Sequence, residues 1–210
     1  RGLGDVYKRQ VVMIPDAFAN NVGQSGEIFT VAHPYFSMPD GHLAKIRKET
    51  ERSKLYAPYH RDPESKVMIS DFADPKDLVK NVESARVISK ELKMKIKIRP
   101  HINEDGVKNP EYLINEKLAD LKNIQGLGGI KNGLDSSRKQ QCEFTAFNLD
   151  AFESIKPEMV QNKLNGIYKL YGDKFSGQQM IFIYSGKAVK VSWKDVKTGK
   201  VTELLKELQE

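Results

Sequence analysis

Three residues in the middle of the chain have the types and the spacing to act on a phosphodiester. Pro110-Glu111 is followed, after eight residues, by Asp120-Leu121-Lys122, all within NPEYLINEKLADLKN at 109–123. Two carboxylates that converge repel each other unless a cation lies between them. Oxygen ligands suit a hard divalent ion, so Mg2+ or Mn2+ is the expected occupant, with Glu111 and Asp120 as its ligands. A lysine beside such an ion can orient or polarise the water that attacks phosphorus, which makes Lys122 the third candidate catalytic residue. The plain alternative is that Asp120 and Lys122 form a solvated pair on an exposed sheet face.

The elements around these residues must bring them together. Asp120 and Lys122 stand at i and i+2 of a strand and share a face. A tight turn at Asn115-Glu116 folds the preceding strand back and brings Glu111 towards Asp120. Upstream, KVMISDF (66–72) has strand character, and DPKD (74–77) has the signs of a helix start, with Asp74 as N-cap and Pro75 in the first turn. Leu78, Val82, Ala85, Ser89 and Leu92 form one stripe of an amphipathic helix over 75–92. KMKIKIR (93–99) alternates strictly, with Met94, Ile96 and Ile98 on one face and Lys93, Lys95, Lys97 and Arg99 on the other. Beyond the hairpin, NIQGLGGIKNG (123–133) suggests a glycine-bearing loop, LDSSRKQQ a short helix capped by Asp135, and CEFTAFNL (142–149) a strand.

The order helix–strand–strand–strand–helix–strand predicts an α/β (α+β) core around a mostly antiparallel or mixed sheet. A helix opened by Pro157 follows, with Val160, Leu164, Ile167 and Tyr171 inward and Gly172 as its cap. A hairpin about Ser185-Gly186 and a terminal helix, VTELLKELQE, complete the chain. The earlier third is less regular: a β-like run at 27–33 and a charged helix from His42 to about Leu55 with Asp40 as a possible cap. The expected organisation is an extension at 11–65, a core at 66–150, and C-terminal elements at 151–210 packed on the same domain. Residues 1–10, RGLGDVYKRQ, resemble a translated sequencing adapter, so they are set aside and the natural protein is expected to extend upstream of Val11.

The Glu111, Asp120 and Lys122 pattern on a hairpin within that element order resembles the PD-(D/E)xK nuclease superfamily, with Glu where the first acid is usually Asp. The superfamily's first helix often supplies a further acid, for which Glu83 is the candidate. Over residues 66–150, KVMISDF, IKIRPH, the hairpin and SSRKQQCEFTAFNLD are similar to the C-terminal nuclease domains of contact-dependent inhibition toxins (the CdiA tRNase type). That resemblance implies a toxin-like, metal-dependent nuclease acting on tRNA or other RNA in preference to DNA, restrained by an immunity protein. It also implies a C-terminal module of a larger phage or mobile-element protein.

Other residues suit a nucleic-acid partner. Arg99 and His101, held apart by Pro100, together with Arg138, Lys139 and Gln141 (or its neighbour Gln140), are candidate phosphate-binding or secondary catalytic groups; Lys95, Lys97 and Lys131 extend the basic surface. A net charge of +6 over 210 residues is consistent with an anionic partner. One cysteine, Cys142, excludes an internal disulfide framework. No apolar run is long enough to span a bilayer and no signal pattern opens the chain, so a cytoplasmic location, or delivery to a target cell as part of a larger protein, is expected. Two other functions remain open: a metal-independent RNase of the barnase, colicin or RelE kind using His101, Arg99, Lys122 and Arg138, and a structural or nucleic-acid-binding module.

Overall fold

The alternating stretches build a mixed sheet whose eight strands lie side by side in chain order. A computed structural model describes residues 40–210; the strand expected at 27–33 lies outside them. A helix, α1 (Asp40–Ser53), continues into a single 3-10 turn, Lys54–Tyr56, and leads to β1 (Tyr59–Arg61) and β2 (Met68–Ser70). Helix α2 (Leu78–Leu92) then precedes β3 (Ile96–Ile98), β4 (Tyr112–Ile114) and β5 (Lys117–Asn123). Helix α3 (Gly128–Lys139), β6 (Phe144–Asn148), α4 (Pro157–Phe175), β7 (Gln179–Tyr184) and β8 (Lys187–Val191) follow, with α5 (Trp193–Thr198) and α6 (Val201–Lys206) at the end. The expected helix–strand–strand–strand–helix–strand core is therefore α2-β3-β4-β5-α3-β6. Strand β2 runs parallel to β3, and β5, β6 and β7 are mutually parallel, while β1–β2, β3–β4, β4–β5 and β7–β8 are antiparallel.

Period-two alternation decides which side chains go where. Ile96, Ile98, Tyr112, Ile114, Ala119, Leu121, Phe144, Ala146, Ile181 and Ile183 face α2 and bury Ala85 and Ile88 of that helix. The opposite face carries Phe147, Met180, Phe182, Val189 and Val191 under α3, α4 and the last two helices, through Ile130, Leu134, Leu164, Trp193, Val201 and Leu205. Each large side chain so buried contributes about 1.5–3 kcal/mol against exposure. Asp120 and Lys122 belong to this second face, between the sheet and α3. No helix among the described residues is long and apolar enough to cross a membrane.

The hairpin closes on Asn115 (φ 48°) and Glu116 (φ 66°), two successive left-handed residues, which is the mirror-image turn whose twist matches paired strands. Asn115 is tied to β3 twice: its N–H donates to the Lys95 carbonyl, and its side-chain oxygen accepts from the Lys95 N–H.

Several elements differ from expectation. Helix α2 begins at Leu78, because Asp74 accepts the Lys76 N–H in a local turn and Asp77 becomes the flanking residue. Its buried face is Asn81, Ser84, Ala85 and Ile88, one step from the stripe expected. The wholly buried phenol of Tyr112 meets this face and donates to the Asn81 main-chain carbonyl. Helix α4 bends at Tyr171, which is partly exposed, and continues past Gly172 to Phe175.

The largest difference is α3. The glycine-bearing segment is helical from Gly128, and Asp135 lies within the helix, paired with Lys131 and Lys174. Tertiary packing overrides propensity here. A Cβ on Gly133 would stand 2.6 Å from Phe147 Cε1 and 3.1 Å from Lys122 Cγ, and one on Gly129 would stand 2.7 Å from Ile124 Cγ2. Glycine lets α3 lie directly on β5 and β6. Gly133→Ala is accordingly expected to destabilise by about 1–3 kcal/mol despite alanine's better helix propensity. Thermal denaturation should register a fall in Tm of several degrees, whereas a rise would show that α3 can move outward freely.

Candidate active site

Strand register brings the two acids together. Tyr112 pairs with Ala119, so one further residue puts Glu111 opposite Asp120. Ile98 pairs with Tyr112 in the same way, which puts Arg99 opposite Glu111, and the Arg99 N–H donates to the Glu111 carbonyl at 2.8 Å. Directly opposed residues share a face, so Arg99, Glu111 and Asp120 make a row across β3, β4 and β5. Regular pairing ends at Tyr112. Beyond it the Glu111 carboxylate takes over as acceptor, receiving the Leu121 N–H at 2.9 Å.

Asp120 is completely buried. Its Oδ2 accepts from Ser137 Oγ at 2.9 Å and Gln140 Nε2 at 3.1 Å, and the Lys122 ammonium stands 2.6 Å away. Its Oδ1 is buried without a hydrogen-bond partner. Buried polar atoms are nearly always satisfied, and a proton on the neighbouring Glu111 carboxyl is the donor left for Asp120. Burial and the adjoining Asp120 carboxylate push the Glu111 carboxyl up to about 8, opposed by the Leu121 N–H and by Lys122. Two carboxyl groups in contact cannot both ionise cheaply, and near neutral pH Glu111 keeps its proton. Cys142 lies in the same environment: burial, then the two acids, push its thiol up to about 12, so it is an inert buried thiol.

The donor set fits a hard divalent cation. Such an ion would neutralise the pair and take the place of the proton held between Glu111 and Asp120. No group of three or more His, Cys, Asp or Glu residues with the makings of a metal site occurs among the described residues. Glu111 and Asp120 could therefore supply two protein oxygen ligands to such an ion.

The structure brings some of the other expected residues to this group and leaves others apart. Arg99 is in the row: its Nη1 donates to the Pro110 carbonyl at 2.9 Å, and burial pulls its pKa down. Gln140 rather than Gln141 reaches Asp120; Gln141 is exposed, in a left-handed turn after α3. Arg138 and Lys139 are exposed in the last turn of α3, and the Lys139 carbonyl accepts from Lys108 Nζ. Lys97 pairs with Glu116, and Lys131 with Asp135.

Glu83 is not brought in. It is exposed on α2, where the buried neighbour is Ser84, and its charge acts on Arg86 instead. His101 also stands apart, 3.5 Å from Asp74 in another cleft. Ser137 went unforeseen, although it is the polar member of the buried stripe Ile130, Leu134 and Ser137, a pattern visible once α3 is given its full length.

A chain of a CdiA-CT/CdiI toxin and immunity complex from Burkholderia pseudomallei is similar to this chain, with 16% sequence identity and a TM-score of 0.42; the match covers 65% of this chain and 96% of that one. The sequence matches no protein-family model and no curated protein.

Proposed function

We propose that this chain is a divalent-metal-dependent nuclease that hydrolyses phosphodiester bonds of RNA, with tRNA the favoured substrate. Glu111 and Asp120 would hold Mg2+ or Mn2+. The observation that carries this reading is a buried pair of carboxyl groups, Glu111 and Asp120, that hold one proton between them where a cation could stand instead. A stability-driven interior would have replaced one of these acids with an amide or an apolar residue.

When bound, the ion would supply Lewis-acid activation and charge neutralisation. The chain's own groups supply the rest. Ser137 and Gln140 fix one oxygen of Asp120, so the other is presented in a set direction. The Leu121 N–H does the same for Glu111. Lys122, only partly buried and already at Asp120, is placed to hold the attacking water and to offset negative charge growing at phosphorus. Arg99, next in the row, is placed to receive a non-bridging phosphate oxygen. Arg138 and Lys139 supply exposed cations for the flanking backbone, whose contribution falls as salt rises.

RNA is preferred as substrate on the sequence resemblance to contact-dependent inhibition toxins, and an immunity protein that covers the site belongs to the same proposal. The metal-independent alternative would need His101 to act with Lys122 and Arg99, and His101 lines a cleft that neither of them lines. Incubation of the protein with total tRNA and with duplex DNA, in Mg2+, Mn2+ or EDTA, tests the reading. Cleavage of tRNA that needs a metal is the expected result. Cleavage that survives EDTA would reject the metal role, and no cleavage of either substrate would favour a binding module.

A further inference from the structure

A second cleft, of about 730 Å3, opens where β2 and β3 end and α2 begins. The parallel pair β2–β3 places this cleft outside the carboxyl ends of its strands, the usual ligand position in sheets of this kind. The β2–β3 register, continued by one residue, sets Ser70 of the cleft beside Arg99 of the acidic row. Three strand spacings, about 14 Å, separate Ser70 from Asp120, with Arg99 between them.

The lining has an unusual makeup for a surface depression. Phe72 is 45% exposed and belongs to neither apolar core, with the Lys54 ammonium 5.6 Å from its ring centroid. Two histidines each turn Nδ1 to a carboxylate: His60 to Asp71 at 2.9 Å, His101 to Asp74 at 3.5 Å. An ionised carboxylate can only accept, so in the neutral ring Nδ1 carries the proton and Nε2 is left as an acceptor. Lys76, also in the lining, makes no ion pair among the described residues.

A half-exposed aromatic ring with Lys54 over one face, a lysine outside any ion pair among the described residues and two imidazoles engaged at Nδ1 match the three parts of a ribonucleotide. We propose that this cleft binds a nucleotide of single-stranded RNA next to the cleavage site. The base stacks on Phe72, a phosphate pairs with Lys76, and the ribose 2′-hydroxyl donates to Nε2 of His60 or His101. The 2′-hydroxyl is the group that separates RNA from DNA, so the cleft sets the nuclease's preference for RNA. This extends the nuclease reading, but its test is a binding measurement that does not require cleavage.

Fluorescence anisotropy would follow a labelled ten-nucleotide RNA and the DNA of the same sequence, at fixed salt. The protein is the full chain carrying Asp120→Asn, so the probes stay intact. RNA should bind more tightly than DNA. Phe72→Ala should weaken both by about tenfold, the loss of one stacked base. Lys76→Glu should weaken both as well, and His60→Ala with His101→Ala should erase the RNA preference. All four positions are exposed, so melting temperatures should stay unchanged. No RNA binding, equal affinity for RNA and DNA, or affinities unmoved by Phe72→Ala would each overturn the proposal. Cleavage of the small diester bis(p-nitrophenyl) phosphate by the chain with Asp120 intact, unaffected by Phe72→Ala, reports separately on the acidic pair. Either reading can therefore fail alone.

Discussion

Asp120→Asn is expected to reduce cleavage by about three orders of magnitude, the several kcal/mol of charge stabilisation that a metal site supplies. The same substitution should leave Tm unchanged or raise it. The native carboxylate is fully buried and forces a proton onto Glu111. An amide of the same shape removes the repulsion while Ser137 and Lys122 keep other outlets to solvent or to the amide oxygen. Activity and stability therefore move in opposite directions, the pattern of a site held in a strained electrostatic state for function. Kinetics on tRNA and a thermal melt of the same sample give both readouts. A variant that loses activity only because it unfolds would show a lowered Tm, and would place Asp120 in the fold instead of the chemistry.

The second large effect is on stability against pH. The Glu111 carboxyl titrates at about 8 in the folded chain, against an ordinary carboxylate value near 4.5 when unfolded. Between these values the native state binds the proton that the unfolded state has released. Stability is thus greatest below pH 4.5 as far as this group is concerned, and it is lost as pH rises towards 8. Without divalent metal the loss should be on the order of 3–5 kcal/mol over that window. Glu111→Gln keeps an acceptor for the Leu121 N–H and has no proton to lose, so its denaturant-derived stability should lack this slope. The difference between the two proteins isolates Glu111 from every other titrating group. Saturating Mn2+ should flatten the wild-type slope by taking the place of the proton. Parallel pH profiles for wild type and Glu111→Gln would show that burial does not hold the carboxyl protonated.

Much of this site was legible in the residues themselves. The two-residue turn at Asn115-Glu116 and the alternation on either side determine that Glu111 and Asp120 oppose each other, and the α2-to-β6 element order followed from local patterns. What escaped depends on contacts between distant segments. The glycines at 128, 129 and 133 look like a loop because glycine disfavours helices, and only the closeness of Ile124 and Phe147 explains why the helix needs Gly129 and Gly133. With α3 placed too late in the sequence, Ser137 could not be seen as a partner of Asp120. Glu83 rests on the superfamily resemblance alone, and no local pattern fixes its direction; on α2 it is exposed, while the buried positions are Asn81, Ser84, Ala85 and Ile88. His60 carried no sequence signal: it sits on a three-residue strand, and its relation to Asp71 exists only through the β1–β2 pairing.

Calorimetric titration of the metal-free protein with Mn2+ at pH 7 asks whether the acidic pair holds a cation at all. One ion per chain is predicted, with about one proton released as Glu111 ionises and binding lost in both Asp120→Asn and Glu111→Gln. Binding that survives in both variants, or no binding by the wild-type chain, would contradict the assignment of Glu111 and Asp120 as a metal site.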